Sequence, residues 1–292
     1  MQNYESNPIE EFPPSPVEKD ASTPDLTPIS PDNPPWNSLT AFLVWVASVA
    51  FIIIVPSFFV LPYILSRGVD FKDQSQMADL AKKDPTTLLL NVLGVIPAHI
   101  LTLILAWLIV TKFRKFSFRE TLGWRWNGFN FWNCLIILGG FYILAAVAGH
   151  FYPEQENDLL RILKSSRTAV YVVAFMATFT APLVEEVVYR GILYSAFQRT
   201  IGVPLSVLLV TFLFALVHVP QYYPSYSTIF LICLLSLVLT LVRVRTGNLL
   251  PCVALHTVFN GTQSLLLILQ PFIEDYIKTH QPQGASIIEL FK

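Results

Sequence analysis

Long apolar runs, separated by short polar stretches, dominate the sequence. A transmembrane helix needs ~20 consecutive and mostly apolar residues. Seven runs approach or exceed that length, at residues 38–66, 87–111, 131–149, 168–198, 203–218, 227–243 and 249–270. The pattern therefore predicts an all-α protein, a polytopic transmembrane helical bundle of about seven spans.

The polar connections between these runs suggest an orientation in the membrane. The connection at 112–130 is basic and contains two tryptophans, a mixture typical of a segment at the level of the lipid headgroups. The side that holds it, together with 199–202 and 243–247, carries slightly more lysine and arginine than the other side. The positive-inside tendency then places the N-terminus in the cytoplasm. We expect a multi-pass integral membrane protein, in the plasma membrane if the chain is prokaryotic.

The composition agrees with a membrane protein. Of the 292 residues, 53% are hydrophobic and 13% are charged, whereas roughly 25% of the residues in an average soluble domain are charged. The net charge of −1 gives no reason to expect nucleic-acid binding. Three cysteines lie inside apolar runs and match neither a disulfide framework nor a zinc knot, so we interpret them as packing residues: Cys134, Cys233 and Cys252.

The first 36 residues differ from the rest of the chain. Residues 1–35 contain nine prolines, seven acidic residues and one lysine. Such a segment buries too little apolar area to offset its ordering entropy, so residues 1–36 are predicted to be a disordered, Pro-rich acidic tail. They lack the basic region and apolar core of a cleavable signal peptide, and we expect the first membrane helix to be an uncleaved anchor.

Two adjacent carboxylates, Glu185 and Glu186, lie in the fourth apolar run. An ionised carboxylate at membrane depth is costly, so the pair needs partners or a task. Arg190 lies one helical turn beyond Glu186, at the spacing where a helical glutamate reaches an arginine. We interpret Glu186 and Arg190 as a structural ion pair that fixes the helix presenting Glu185. The alternative is a glutamate pair that merely snorkels at a helix end.

Three more polar residues, His218, His256 and Asn260, lie inside later apolar runs. The fourth and fifth runs meet at a tight connection near residues 201–202. A rise of ~1.5 Å per residue places both Glu185 and His218 about 21–23 Å from that connection. The i, i+4 spacing of His256 and Asn260 puts them on one face of the seventh helix. One polar pocket can therefore collect all four residues.

These residue types suit peptide hydrolysis. A glutamate beside a histidine can hold and deprotonate a water, which assigns this role to Glu185 and His218. Alternatively, Glu185, His218 and His256 ligate a metal such as zinc, which lowers the pKa of a bound water to ~7. His256 and Asn260 can donate hydrogen bonds to the developing oxyanion. His99, in the second run, has no such partners and is assigned a structural or helix-bridging role.

Three segments resemble, in order, the motifs of one family. The sequence EEVVYRG at 185–191 resembles the Glu-Glu-x-x-x-Arg motif of the CPBP family, also called Abi, which includes the type II CAAX prenyl endopeptidases. The segment FALVH at 214–218 is similar to the second motif. The segment RTGNLLPCVALH at 245–256, continued to Asn260, resembles the third motif. The resemblance covers about residues 165–270, and no motif position departs from the pattern.

The resemblance implies an all-α intramembrane endopeptidase of the CAAX prenyl protease kind. In that family, water activation falls to the residues that match Glu185 and His218, and oxyanion binding to those that match His256 and Asn260. The second glutamate and the arginine of the first motif take supporting roles. The family is identified with metalloproteases, but this chain lacks the His-Glu-x-x-His spacing of many zinc sites, so zinc and direct water activation both stay open.

The chain is thus divided into a tail at 1–36, N-terminal membrane helices at 37–160, a CPBP-like catalytic membrane core at 161–272 and a C-terminal tail at 273–292. The expected partners are the lipid bilayer and a membrane-associated protein or peptide substrate, with the oligomeric state left open.

Two alternatives to a protease are a non-catalytic scaffold or immunity protein of the same family and a transporter. A scaffold has no need of so many desolvated polar groups, and the inverted repeats of transporters do not appear.

Overall fold

The structure, a computed structural model, describes residues 28–70 and 72–280. Within these ranges the chain forms helices and connecting loops but no β-strand. The predicted all-α fold class is therefore confirmed. The helices of the described chain are α1 Ser38–Ser66, α2 Gln74–Lys83, α3 Pro85–Thr111, α4 Phe118–Leu122, α5 Phe131–Phe151, α6 Asp158–Ser165, α7 Arg167–Ile201, α8 Val203–Tyr222, α9 Tyr226–Thr246 and α10 Leu250–His280.

Seven of the described helices are long and apolar enough to cross a membrane, namely α1, α3, α5, α7, α8, α9 and α10. They confirm the predicted multi-pass bundle. The last helix, however, continues past residue 270 to His280. The apolar run ends at residue 270 because charged residues follow. A charged side chain in contact with water does not end a helix, however. The Gln270 side chain donates a hydrogen bond to the Glu274 carboxylate one turn later, at 2.9 Å. The part of the predicted C-terminal tail at 281–292 lies outside the described residues.

Side-chain caps begin four of the spanning helices, and one of them is Ser166, which precedes α7. The side chains of Asn37, Asp84 and Asn130 accept a hydrogen bond from the backbone N–H three residues ahead, at 2.9, 2.8 and 3.2 Å. Pro85, the first residue of α3, fits there because the N–H that it lacks would have no partner inside the helix. Each cap stabilises its helix start by ~1 kcal/mol and so helps to set which residues enter the apolar layer.

Helix α7 is the centre of the bundle. Every residue from 186 to 197 is buried, and its apolar side chains pack in one cluster with Val110 of α3 and Val210 of α8. The charged residues Glu186 and Arg190 fall inside this buried stretch. They must therefore find polar partners within the protein.

Helix α5 packs at the edge of the bundle. Its Phe141 lies in an apolar cluster with α9 and α10, and the ring centroids of Phe141 and Phe259 are 4.7 Å apart. Cys134 and Cys252 are buried in the same cluster and form no disulfide. This placement agrees with the packing role predicted for them.

The residues that precede α1 pack on the ends of α7 and α9, and we call residues 28–37 the N-terminal strap. The Trp36 side chain is buried, and its indole N–H donates to the Ile192 carbonyl of α7 at 3.1 Å. Arg199, near the end of α7, donates to the Pro34 carbonyl at 3.0 Å. The strap therefore holds the far end of the helix that carries the glutamate pair.

The disorder predicted for residues 1–36 is wrong for residues 28–36. The prediction rested on the content of proline and acidic residues. Two contacts nevertheless anchor the strap, because Trp36 is buried against α7 and Asp32 pairs with the buried Arg243. Residues 1–27 of the predicted tail lie outside the described residues.

Arg243 of α9 binds the strap. Its side chain is 1% exposed, and Nη2 lies 2.9 Å from Asp32 Oδ1 and donates to the Pro31 carbonyl at 2.8 Å. The same nitrogen reaches the hydroxyl of Ser195 in α7 at 3.3 Å, and the guanidinium lies 5.4 Å from the Tyr194 ring centroid. Its other two nitrogens have no hydrogen-bond partner among the described residues. Asp32 is therefore the anion that compensates this buried cation.

Asp32→Asn should destabilise the protein because it removes the carboxylate that faces a buried guanidinium. Breaking a fully buried ion pair costs ~3–5 kcal/mol. The Asp32 side chain is 59% exposed, so we expect a smaller loss, about 1–3 kcal/mol of the unfolding free energy. Thermal or denaturant unfolding in detergent measures this loss. Glu120→Gln, which changes an exposed acid, is the matched control, and equal stability of the two variants would contradict the role of the strap.

Candidate active site

Two π-helical segments flank the glutamate pair within α7, at Met176–Thr180 and Val187–Leu193. In a π-helix each N–H bonds to the carbonyl five residues earlier. This register would pair the Ala177 carbonyl with Pro182, which has no N–H. Nδ2 of Asn260 in α10 donates to the carbonyl instead, at 2.8 Å. The asparagine thus anchors α10 to the turn that precedes the glutamate pair.

Glu186 and Arg190 form a buried ion pair. Both side chains are 0% exposed, and Arg190 Nη1 donates to Glu186 Oε1 at 2.9 Å. Helix α9 holds the rest of the guanidinium. Nη2 donates to the carbonyl and hydroxyl of Ser236 at 2.9 and 2.8 Å, and Nε donates to the Thr240 hydroxyl at 3.3 Å. Because all three nitrogens are paired, the arginine keeps its charge without water.

His256 lies between the two carboxylates. Its Nδ1 is 2.7 Å from Glu186 Oε1, and its Nε2 is 3.8 Å from Glu185 Oε2. An ionised carboxylate only accepts, so Nδ1 donates to Glu186. The Glu185 side chain is 22% exposed, whereas that of Glu186 is fully buried. The adjacent glutamates therefore differ in environment: Glu186 is an internal acceptor, and Glu185 remains partly open.

His218 is oriented by its own helix. Its Nδ1 lies 2.7 Å from the Phe214 carbonyl one turn earlier, so Nδ1 donates and Nε2 of the neutral ring is an acceptor. The ring stacks on Phe214, with centroids 4.6 Å apart, and Phe214 lies 6.2 Å from the His256 ring. Among the described residues, no hydrogen bond or ion pair joins His218 to Glu185. The histidine at ion-pair distance from Glu185 is His256.

The residues predicted as possible metal ligands were Glu185, His218 and His256. In the described part of the chain, no three His, Cys, Asp or Glu side chains lie together so that they could hold an ion. The Nδ1 atoms of both histidines are hydrogen-bonded, which leaves Nε2 of each ring. A histidine that binds a metal through Nε2 commonly donates Nδ1–H to a carboxylate or a carbonyl in this way, so zinc stays a prediction. The steps proposed below are carried by side chains alone.

His99 of α3 was predicted to have only a structural or helix-bridging role, and it lies near the site. It is buried, and its Nδ1 lies 3.0 Å from the Thr180 hydroxyl of α7, as expected for a helix-bridging residue. The partners of the buried Arg190, which are Ser236 and Thr240, were not among the predicted site residues. Their i, i+4 spacing in an apolar run was the available signal.

Comparison with known families bears directly on this site. Residues 167–262 match the family model described as type II CAAX prenyl endopeptidase Rce1-like. Neither the comparison with curated proteins nor that with solved structures found a match. This match confirms the family resemblance predicted from three motifs, and we call residues 167–262 the Rce1-like domain. The domain spans α7, α8, α9 and the first part of α10, and it holds both glutamates, Arg190 and the two site histidines.

Removing either charge of the Glu186–Arg190 pair should destabilise the protein, because the other charge stays buried without its counter-ion. We expect Glu186→Gln and Arg190→Gln each to lower the unfolding free energy by ~3–5 kcal/mol. The double variant should recover part of that loss, since two neutral amides replace the pair. Denaturant unfolding measures all three variants.

The matched control is Asp79→Asn. It breaks an ion pair of the same i, i+4 spacing, 2.9 Å long, in which both side chains are more than 60% exposed. Such a surface pair is worth about 0.3–0.5 kcal/mol. If the two buried variants lose no more stability than this control, the Glu186–Arg190 pair does not have the proposed structural role.

Proposed function

We propose that this protein is an intramembrane endopeptidase that hydrolyses peptide bonds of membrane-associated substrates with a water activated by side chains. The observation that carries the proposal is the His256 ring between two carboxylates, one fully buried and one partly open. The Rce1-like domain supports a protease of the CAAX-processing kind. Its substrate class would be the prenylated C-terminal segment of a membrane-anchored protein or a peptide of similar character.

In the proposed mechanism, a water binds between Glu185 and His218. Glu185 accepts one proton of this water as the general base. His218 accepts a hydrogen bond from the water at Nε2, since its Nδ1 is bound to the Phe214 carbonyl. The water oxygen adds to the carbonyl carbon of the scissile bond. The proton on Glu185 then passes to the leaving nitrogen as the C–N bond breaks, which yields a carboxylic acid and an amine, and the amine takes up the proton that the acid releases.

His256 is proposed to stabilise the oxyanion. Its Nδ1–H is directed to Glu186, so Nε2 is the atom on the open side, next to Glu185. With both ring nitrogens protonated, His256 and Arg190 balance the charges of the two carboxylates. Charge balance of this kind is favoured at low dielectric constant, where an unpaired charge is costly. The Nε2–H can then donate to the oxyanion that forms beside Glu185.

Asn260 is proposed to have a shared role. One N–H of its amide donates to the Ala177 carbonyl. A side-chain amide has two N–H donors, so the second can bind the oxyanion. Loss of Asn260 would therefore affect the packing of α10 on α7 and the transition state together.

Glu185→Gln should abolish cleavage and leave the fold intact, because a neutral amide cannot accept the proton of the water. Full-length protein in lipid nanodiscs is incubated with farnesylated CAAX peptides, and mass spectrometry follows the products. His218→Ala should lose activity to a similar extent. The double variant should be little slower than either, because the two residues act as a unit. Glu120→Gln is the control for an unrelated acid, and robust cleavage by Glu185→Gln would exclude the assignment.

Asn260→Ala should lower kcat by roughly 10²–10³-fold with little change in KM, because its second N–H is used only in the transition state. Asn260→Asp should be slower still, since it places a negative charge where negative charge develops. The control is Ser264→Ala, which removes a similar bridge from α10 to α7: the Ser264 hydroxyl donates to the Ala174 carbonyl at 3.3 Å. If Asn260→Ala matches Ser264→Ala in both stability and kcat, Asn260 has a packing role only.

A further inference from the structure

A cavity of about 700 Å³ opens between α5, α9 and the loop that joins α4 to α5. None of the residues that line it belongs to the candidate active site. The cavity lies where α5 begins and α9 ends, beside the basic and tryptophan-containing connection at 112–130. This position corresponds to the level of the lipid headgroups. Its volume falls within the range of sites that bind small molecules.

The surface end of the cavity offers a positive charge and hydrogen-bond donors. Arg245 is exposed and makes no hydrogen bond or ion pair within the described residues. The side-chain oxygen of Asn133 accepts the Asn130 N–H at 2.9 Å, which leaves its amide N–H groups available. Asn127 holds the loop in place by donating to the Thr246 carbonyl at 2.6 Å. No acidic residue lines the cavity, so this end suits an anion.

The walls are apolar one helical turn deeper into the membrane. Ile136 and Ile137 of α5 face Val242 of α9, and Phe129 closes the loop side. Ile136 is 72% exposed, so the cavity is open sideways to the acyl-chain region. A free anion would leave these walls uncovered, and a neutral amphiphile would leave the arginine without a counter-ion. The ligand that matches both ends has an anionic head and a hydrocarbon chain.

We propose that this cavity binds one anionic phospholipid, with its phosphate at Arg245 and Asn133 and an acyl chain along Ile136 and Val242. Charge complementarity favours an anionic headgroup over a zwitterionic one. The lining carries the positive charge of Arg245 and has no carboxylate to hold a choline or ethanolamine cation. The site is separate from the proposed active site, so it stands whether or not the chain is a protease.

Native mass spectrometry of the full-length protein tests the site. The protein is equilibrated in detergent with equal amounts of phosphatidylglycerol and phosphatidylcholine, and the wild type should retain one phosphatidylglycerol in preference. Arg245→Gln should lower that retention roughly tenfold, as expected for the loss of one charge-assisted contact. Arg125→Gln, which changes a basic residue outside the lining, should behave as the wild type. Ile136→Trp, which fills the apolar part, should lower retention of both lipids.

Equal retention of the two lipids by the wild type would overturn the proposal. Equal losses in Arg245→Gln and Arg125→Gln would also overturn it, because binding would then follow the general surface charge. Displacement of the lipid by inorganic phosphate alone would point to an anion site without a lipid. Displacement by a stoichiometric farnesylated peptide would assign the cavity to the substrate. Unfolding curves check that the exchanges at these exposed positions leave the fold intact.

Discussion

The buried ion pair between Glu186 and Arg190 is the constraint on which the site depends. Two opposite charges with no exposure to solvent persist in an apolar bundle only when polar groups of the protein replace water. Ser236 and Thr240 of α9 bind the guanidinium, and His256 of α10 donates to the carboxylate. One pair of charges thus joins three helices. The same contacts orient the His256 ring so that its Nε2 lies toward Glu185, the partly exposed glutamate.

A second buried arginine repeats this arrangement in the opposite direction. Arg190 reaches from α7 to α9, whereas Arg243 reaches from α9 to Ser195 of α7. The two side chains fix the register of these helices at two levels. The counter-ion of Arg190 lies inside the Rce1-like domain, but that of Arg243 is Asp32 of the N-terminal strap, which lies outside it. The position of α7 therefore depends on residues that the family motifs do not include.

Features that depend on local spacing could be predicted from the sequence, because apolar length defines a membrane helix and i, i+4 spacing defines the Glu186–Arg190 contact. The depth of a residue along a helix can be counted from the sequence, but the rotation of the helix about its axis cannot. Each π-helical segment of α7 inserts a residue and turns the following side chains by roughly 100°. This is why the contacts of Glu185 with His256 and of Asn260 with the Ala177 carbonyl were not foreseen. The anchoring of the strap is a contact between distant residues, which no local pattern reports.

The central claim is that Glu185 gives this protein a hydrolytic activity on membrane proteins. The most direct measurement is mass spectrometry of protein termini in membranes that contain equal amounts of the wild type or of Glu185→Gln. We predict a set of new termini, close to membrane anchors, that appears with the wild type and is absent with the variant. Identical sets of termini would contradict a proteolytic role for Glu185 and would favour a non-catalytic membrane scaffold.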